Sequence, residues 1–280
     1  MKPPPFELAR PDTLDEALAL LAGGNGEAKP MAGGQSLVPL LNLRLSAPTL
    51  LVDLNGVHNL AGIRLEGDRL LIGAMTRQKH LLTDALVAQH APLLGRAAPY
   101  IGHVQTRSRG TVGGSLAHAD PAAELPLVMV ALDAEMVLRS TRGTRHVPAR
   151  QFFDDILTTM LQDDELLVEI AVPAAPKGTR CAFREFNRRH GDFAMVAAAA
   201  QFSLRRHLTA AVGGVGTAPH YCGGLVESIQ APGFEDHRLE ELVDAEMSEI
   251  APLADLHASA EYRRHLATVL LGDCLREVIS

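Results

Sequence analysis

Two glycine-centred segments, Ala32-Gly33-Gly34-Gln35-Ser36 and Gly110-Thr111-Val112-Gly113-Gly114, constrain this chain more than any other feature of it. Glycine has no Cβ, so backbone amides can close on an anion and φ can turn positive, and a helix that follows adds its dipole to the attraction. The first segment has that setting. Lys29 to Ala32 reads as a brief extended stretch, Gly33-Gly34 as a tight turn, and Ser36 to Leu45 as a helical run interrupted early by Pro39. Taken alone, Ser36 is more readily an N-cap than a phosphate contact. The second segment also carries hydroxyls, Thr111 and Ser115, and runs through His118-Ala119-Asp120-Pro121-Ala122-Ala123-Glu124 into a helix. Neither segment is GxxxxGK[ST] or a GxGxxG after a long strand, so nucleoside-triphosphate and Rossmann readings are weak. Two such loops can grip one pyrophosphate from both sides.

The rest of the composition narrows the class. A length of 280 residues favours two domains, or one domain with a sizeable appendage, and 47% apolar against 21% charged residues is ordinary for a folded protein. A formal charge of −7 argues against a general nucleic-acid surface. The basic run Arg184 to Arg189 is an isolated exception, read as a solvated face or an anion contact. Apolar stretches such as Leu125 to Leu132 fall well short of the ~20 residues that span a bilayer, and the first residues do not begin a signal peptide, so a cytoplasmic protein is expected. Cys181, Cys222 and Cys274 are too far apart to build a zinc or iron–sulfur site on this chain.

Periodicity and turn signals predict an α+β chain. A capped helix over 13–21 opens it, Leu50 to Leu54 reads as a buried strand, and Ile63 to Glu66 with Arg69 to Ile72 as a hairpin. Helices follow at Met75 to Gln89, with Thr76 near the start, at Leu93 to Ala98 and at Ala122 to Leu132. Strands follow at Ala134 to Ser140, Thr144 to Val147 and Leu166 to Val172. Pro173-Ala174-Ala175-Pro176-Lys177-Gly178 is the best linker by composition, dividing residues 1–175 from 178–280. Beyond it come strands at Cys181 to Phe186, Ala194 to Leu204 and Leu208 to Gly213, then helices at Leu239 to Ile250 and Ala258 to Val278.

Together with Arg188-Arg189-His190-Gly191-Asp192-Phe193, the two loops resemble the FAD-binding medium subunit of the molybdenum hydroxylases, the xanthine dehydrogenase and aerobic carbon monoxide dehydrogenase family. The likeness extends from the first helix to the segment 259–267. It implies a vanillyl-alcohol-oxidase (PCMH)-type FAD-binding domain over 1–175, with subdomains of about 1–56 and 57–175. A carbon monoxide dehydrogenase flavoprotein-like C-terminal domain, a small antiparallel sheet with helices, would follow over 178–280. By the same resemblance Ala32, Gly33, Gly34, Gln35, Ser36 and Leu37, with Gly110, Thr111, Val112, Gly113, Gly114 and Ser115, hold the pyrophosphate and ribityl. Ile101 and Leu167 line the cofactor, Glu124 is an acidic flavin contact, Arg184 stands near the isoalloxazine where lysine is common, and Phe193 lies against the ring. Without the motif, Phe193 is a core residue beside Ala194 and Val196. Gln35 in place of histidine and Phe193 in place of tyrosine depart from the carbon monoxide dehydrogenases, and lean toward N-heteroaromatic or aldehyde-type substrates.

The resemblance also implies partners: a large molybdopterin subunit and a small iron–sulfur subunit, assembled as a dimer of heterotrimers, with this chain collecting electrons on FAD and passing them to an external acceptor. It requires no catalytic acid–base pair and no metal of this chain. The twelve histidines show no HxxxH or HxH pair, and Ser115, His118 and Asp120 are too local for a hydrolytic triad. Two other readings stay open at this stage, a self-sufficient FAD-dependent oxidoreductase of the same fold and a scaffold that has kept the fold but lost the flavin.

Overall fold

A computed structural model describes residues 2–189, 191–203 and 207–280; His190 of the third motif and Leu204 of a predicted strand lie outside them. The chain opens with β1 (Glu7–Ala9) and α1 (Leu14–Gly23). Thr13 caps α1 in a reciprocal capping box, its hydroxyl accepting from the Glu16 amide while the Glu16 carboxylate accepts from the Thr13 amide. β2 (Ala28–Met31), α2 (Leu37–Asn42) and β3 (Leu50–Asp53) complete a small parallel sheet in the order β1-β3-β2. α2 is shorter than predicted, ending before Leu45. Leu14, Ala17, Leu18 and Leu21 of α1 pack against Val52 and Leu54.

β4 (Ile63–Glu66) and β5 (Arg69–Gly73) form the expected hairpin. After it the predicted helix over 75–89 does not form: only α3 (Ala85–His90) is α-helical there, started by the Asp84 side chain, which accepts from the amides of Leu86 and Val87. Thr76 is buried, its hydroxyl accepting from the Gly62 amide and donating to the Gly62 carbonyl. The carbonyls of Ala74 and Thr76 and the Gln78 amide are engaged by residues 110–113, so this backbone is held extended by its long-range partners.

α4 (Pro92–Ala97), α5 (Val104–Arg109), α6 (Val112–His118) and α7 (Glu124–Ala131) follow, and every residue of α7 is buried. β6 (Glu135–Ser140), β7 (Gly143–Pro148), a single turn α8 (Ala149–Phe152), the short pair β8 (Phe153–Asp155) and β9 (Thr158–Thr159), and β10 (Leu166–Pro173) finish this part. Its sheet runs β4-β5-β10-β6-β7. In β10, Leu166 and Val168 face the α1 core while Leu167, Ile170 and Val172 face the larger one. That change of phase is a bulge between Leu167 and Glu169.

The remainder is an antiparallel sheet, β11 (Arg180–Phe186), β12 (Val196–Ser203), β13 (His207–Gly213) and β14 (His220–Tyr221), with α9 (Gly223–Gln230), α10 (Leu239–Ser248) and α11 (Ala260–Ile279) on one face. Both faces are buried. Val196, Ala198 and Ala200 meet the helices, while Ala197 and Ala199, with Cys181 and Phe183 of β11, join the core that holds α4 and α7. This double burial explains the unbroken apolar run 194–200, which lacks the alternation of a half-exposed strand. Among the described residues no helix is long and apolar enough to cross a membrane.

Candidate functional site

The two glycine loops touch. A Cβ on Gly33 would lie 2.3 Å from the Arg109 carbonyl oxygen and 2.8 Å from Gly110 Cα, so only glycine permits the approach. Gly34 takes φ +71, the left-handed region, and turns the chain into α2. The amides of Gly33, Gly34, Gln35 and Ser36 meet no acceptor among the described residues, and Ser36 makes no side-chain cap to α2. A short run of unspent donors with a free hydroxyl is a nest suited to an anion. The capping role open to Ser36 is not the one realised. Gln35 is exposed, its side-chain amide donating to the Gly33 carbonyl at 3.1 Å.

The second loop is built differently. Its amides are spent inside the chain: Val112 donates to the Thr76 carbonyl, Gly113 to that of Ala74, Gly114 to the Thr111 hydroxyl at 3.0 Å, and Ser115 to the Thr111 carbonyl. A Cβ on Gly113 would fall 2.4 Å from that of Ala74. Thr111 is the helix cap here, and of the two hydroxyls of this loop that of Ser115 meets no partner among the described residues. The β10 bulge matters at this point, because the Val168 carbonyl accepts the Ala74 amide at 2.9 Å and so fixes the strap on which Gly113 sits. Ile101 and Leu167 are both buried in the core adjoining this loop.

Two residues outside the motifs tie the loops together. The Asn55 side-chain amide donates to the Ala32 carbonyl at 3.0 Å and its oxygen accepts from Arg77 at 2.6 Å, while Arg77 also donates to the Arg109 carbonyl. Asp53 anchors Asn55 in turn. Neither residue lies in a glycine motif; the signal available was Asp53 to Asn55 closing a strand with turn-forming side chains.

The third motif reaches the same place from the far end of α5. A Cβ on Gly191, at φ +90, would collide with the His103 ring at 2.2 Å, so the β11–β12 loop rests on the start of α5, whose last residue meets Gly33. Asp192 accepts from Arg189 at 3.2 Å and closes the turn. Phe193 is 60% exposed and therefore not the core residue its neighbours Ala194 and Val196 suggest. Arg107 steadies Ile101 and Gly102, donating to their carbonyls at 2.8 and 2.7 Å. Glu124 starts α7 and is 4% exposed. Burial above all lifts its carboxyl to about 7; the Asp120 charge adds to this, while its own amide and Arg107 oppose it.

Arg184 is not brought to this group. On β11 it pairs with Ala198 across the ladder, on the α11 face, and bonds Glu277, which also binds Arg96 of α4. The residue of β11 on the Glu124 face is Glu185, beside Ala197.

Elsewhere, His220, Cys222 and Glu246 place ligand-type atoms within 4.8 Å of one another. Glu246 is occupied as a cap, accepting from His220 at 3.0 Å and from the Leu225 amide at 2.9 Å, and burial first, then the Glu246 charge, holds the Cys222 thiol well above its ordinary range.

Comparison with known proteins finds relatives over the whole chain. Residues 4–175 match the family described as FAD binding domain in molybdopterin dehydrogenase, and residues 181–278 the CO dehydrogenase flavoprotein C-terminal domain. The chain is 41% identical over 286 residues to subunit alpha of the 6-hydroxypseudooxynicotine dehydrogenase complex of Paenarthrobacter nicotinovorans, covering 100% of this chain and 96% of that one. It is 35% identical to the carbon monoxide dehydrogenase medium chain of Hydrogenophaga pseudoflava, covering 95% and 94%. A solved carbon monoxide dehydrogenase from that organism, lacking the Mo-pyranopterin moiety of its cofactor, superposes with a TM-score of 0.96 at 34% identity, covering 100% and 99%. The nest of free amides fits the phosphates of a dinucleotide, and with these relationships the cofactor is FAD: the chain belongs to the FAD-binding medium subunits of the molybdenum hydroxylases.

Proposed function

We propose that FAD lies along the arc from the Ala32–Leu37 nest to the β11–β12 loop. The observation that carries this is the close approach of Gly33 to Arg109 and Gly110 beside four amides that meet no acceptor among the described residues. On this reading Gly33, Gly34, Gln35 and Ser36 hold the pyrophosphate with Ser115 opposite, and Ile101, Leu167 and Leu37 line the cofactor. Gly110, Thr111, Val112, Gly113 and Gly114 shape the second wall, Glu124 contacts the ring end, and the exposed Phe193 stacks against it. FAD supplies the redox chemistry when bound. The protein groups orient it, exclude water from the phosphates and set the charge around the ring.

The same proposal extends to assembly. Residues 1–175 form the FAD-binding domain and 178–280 the C-terminal one, and the chain works in the cytoplasm beside a large molybdopterin subunit and a small iron–sulfur subunit, in a dimer of heterotrimers. Electrons reach FAD from the iron–sulfur subunit and leave to an external acceptor. The test is Gly33→Ala in the co-expressed complex. The added methyl meets Arg109, and the FAD dissociation constant, read by titrating the apo complex in the visible spectrum, should rise by about 10-fold or more, a cost of ~1.4 kcal/mol. An unchanged constant in the variant, or wild-type chain that repeatedly purifies without a larger and a smaller companion, would count against the proposal.

A further inference from the structure

His220-Tyr221-Cys222 sets a histidine and a cysteine two residues apart at the end of β14, and residues two apart along a strand share a face. His220 pairs with Val212 across the ladder, and Val212 and Cys222 both lie in the core beneath α9, α10 and α11. Tyr221 between them carries the Arg150 guanidinium over its ring at 3.3 Å. On the helix face the pair meets Glu246 of α10. His220 Nε2 stands 3.0 Å from Glu246 Oε1, and the ligand-type atoms of all three residues, the Cys222 thiol included, lie within 4.8 Å of one another. Each is held by the backbone around it: the Cys222 amide donates to the Ala210 carbonyl at 3.0 Å, the Cys222 carbonyl accepts from the Val226 amide at 3.0 Å, and Glu246 Oε2 accepts from the Leu225 amide at 2.9 Å. That cap occupies one carboxylate oxygen and leaves Oε1 turned to the histidine. Cys222 is fully buried, while the His220 side chain is 39% exposed, so the group is open to solvent on one side. Among the described residues His220 is the sole ionic partner of Glu246.

We propose that His220, Cys222 and Glu246 bind a zinc ion through one nitrogen, one sulfur and one oxygen, with water in the fourth place. Zinc bonds of ~2.0–2.1 Å to nitrogen, ~2.0–2.2 Å to oxygen and ~2.3 Å to sulfur set tetrahedral ligand pairs roughly 3.3–3.6 Å apart. The His220–Glu246 separation of 3.0 Å and the 4.8 Å limit on the whole group bracket that range, so side-chain rotations close the site on an ion. Sulfur beside imidazole suits zinc, whereas magnesium and calcium take oxygen sets. A thiolate and a carboxylate balance the two charges of the ion, which leaves no net charge in a largely buried place. On binding, the thiol proton passes to solvent, and the imidazole keeps its proton on Nδ1 so that Nε2 presents a lone pair to the metal. Two metal bonds thereby replace the hydrogen bond between His220 and Glu246. The Leu225 amide on Oε2 orients the carboxylate from the outer shell. The ion pins the turn from β14 into α9 against α10, and nothing in this depends on where FAD lies.

The experiment takes the purified complex, treats it with a chelator and titrates it with zinc ion alone. Bound zinc is counted by elemental mass spectrometry after gel filtration, and its neighbours are read by X-ray absorption at the zinc edge, where iron and molybdenum do not contribute. Wild type should hold about one zinc per copy of this chain beyond what His220→Ala holds, with one sulfur at ~2.3 Å and the remaining neighbours at ~2.0–2.2 Å. His220→Ala, Cys222→Ser and Glu246→Gln should each weaken that binding by at least the roughly 10- to 100-fold that loss of an outer-shell group alone costs. Cys222→Ser should also remove the sulfur from the zinc shell. His220 is the most exposed of the three, so His220→Ala carries the test if the other two variants do not assemble. Equal zinc in wild type and His220→Ala, or a zinc shell without sulfur in the wild type, overturns the proposal and leaves His220 and Glu246 joined by a hydrogen bond only.

Discussion

At the residue scale, the glycines were readable from the sequence because their chemistry is local, and their neighbours were not because theirs is long-range. Gly33 and Gly34 announce a tight turn wherever they stand; that Gly33 touches Arg109, 76 positions on, is a tertiary fact. Asn55 and Arg77, which hold the two loops in register through the Ala32 and Arg109 carbonyls, belong to no motif. Asn55→Ala removes the donor to Ala32 and leaves that carbonyl and the Arg77 guanidinium with one partner fewer. The expected result is an FAD dissociation constant raised roughly 5-fold, the equivalent of about 1 kcal/mol, measured by flavin fluorescence titration. An unchanged constant would show that the nest keeps its shape without the tie. Arg184 shows the same limit, since the resemblance implies a cation near the ring while the hydrogen bond to Glu277 that holds it here is a long-range contact.

At the scale of elements, strands and hairpins were legible where alternation or a Gly-Asp turn marked them, as in β4–β5 and β6–β7. The helices missed, α5, α6, α8 and α9, are short, and α6 and α9 carry glycine pairs that argue against helix by propensity; those two form because burial of Leu116, Leu225 and Val226 outweighs it. The helix wrongly expected over 75–89 has the opposite cause, a good propensity overruled by backbone partners in residues 110–113. Within the five-stranded sheet, Arg145 of β7 makes a two-pronged bond to Glu165 at 2.7 Å on each prong, and the Glu165 side chain is only 4% exposed. That bond is the main reason Glu165 sits below its ordinary range. Arg145→Met should therefore cost roughly 1–3 kcal/mol near pH 7, less if water reaches the orphaned carboxylate. A carboxylate held low contributes stability above its unfolded value and loses it as pH falls through the folded one, so the gap between variant and wild type should narrow below about pH 4. Denaturant unfolding at pH 7 and pH 3.5 checks both; a gap that widens in acid would refute the assignment.

At the scale of the whole molecule, composition placed a linker at 173–178, and the family matches end at 175 and resume at 181, yet this segment is no loose tether. The Ala174 and Ala175 amides are bound by the Asp68 and His90 carbonyls, Ala175 is buried, and Arg96 and Arg184 share Glu277 across the junction. The core around α7 continues without interruption into one face of the β11–β14 sheet. Double burial of that sheet was half visible in the run 194–200, but which layer would cover each face was not. Lys177 stands exposed in this otherwise anchored stretch. Brief trypsin treatment should cut there first, giving two fragments on a denaturing gel that nonetheless elute as one particle and retain the yellow cofactor; fragments that part on a native column would disprove it. A polypeptide whose halves share their interior in this way behaves as a single thermodynamic body, and an enzyme engineer who wished to graft a foreign C-terminal half onto this flavin module would have to redesign the inner face of the sheet, residue by residue, before the hybrid could fold.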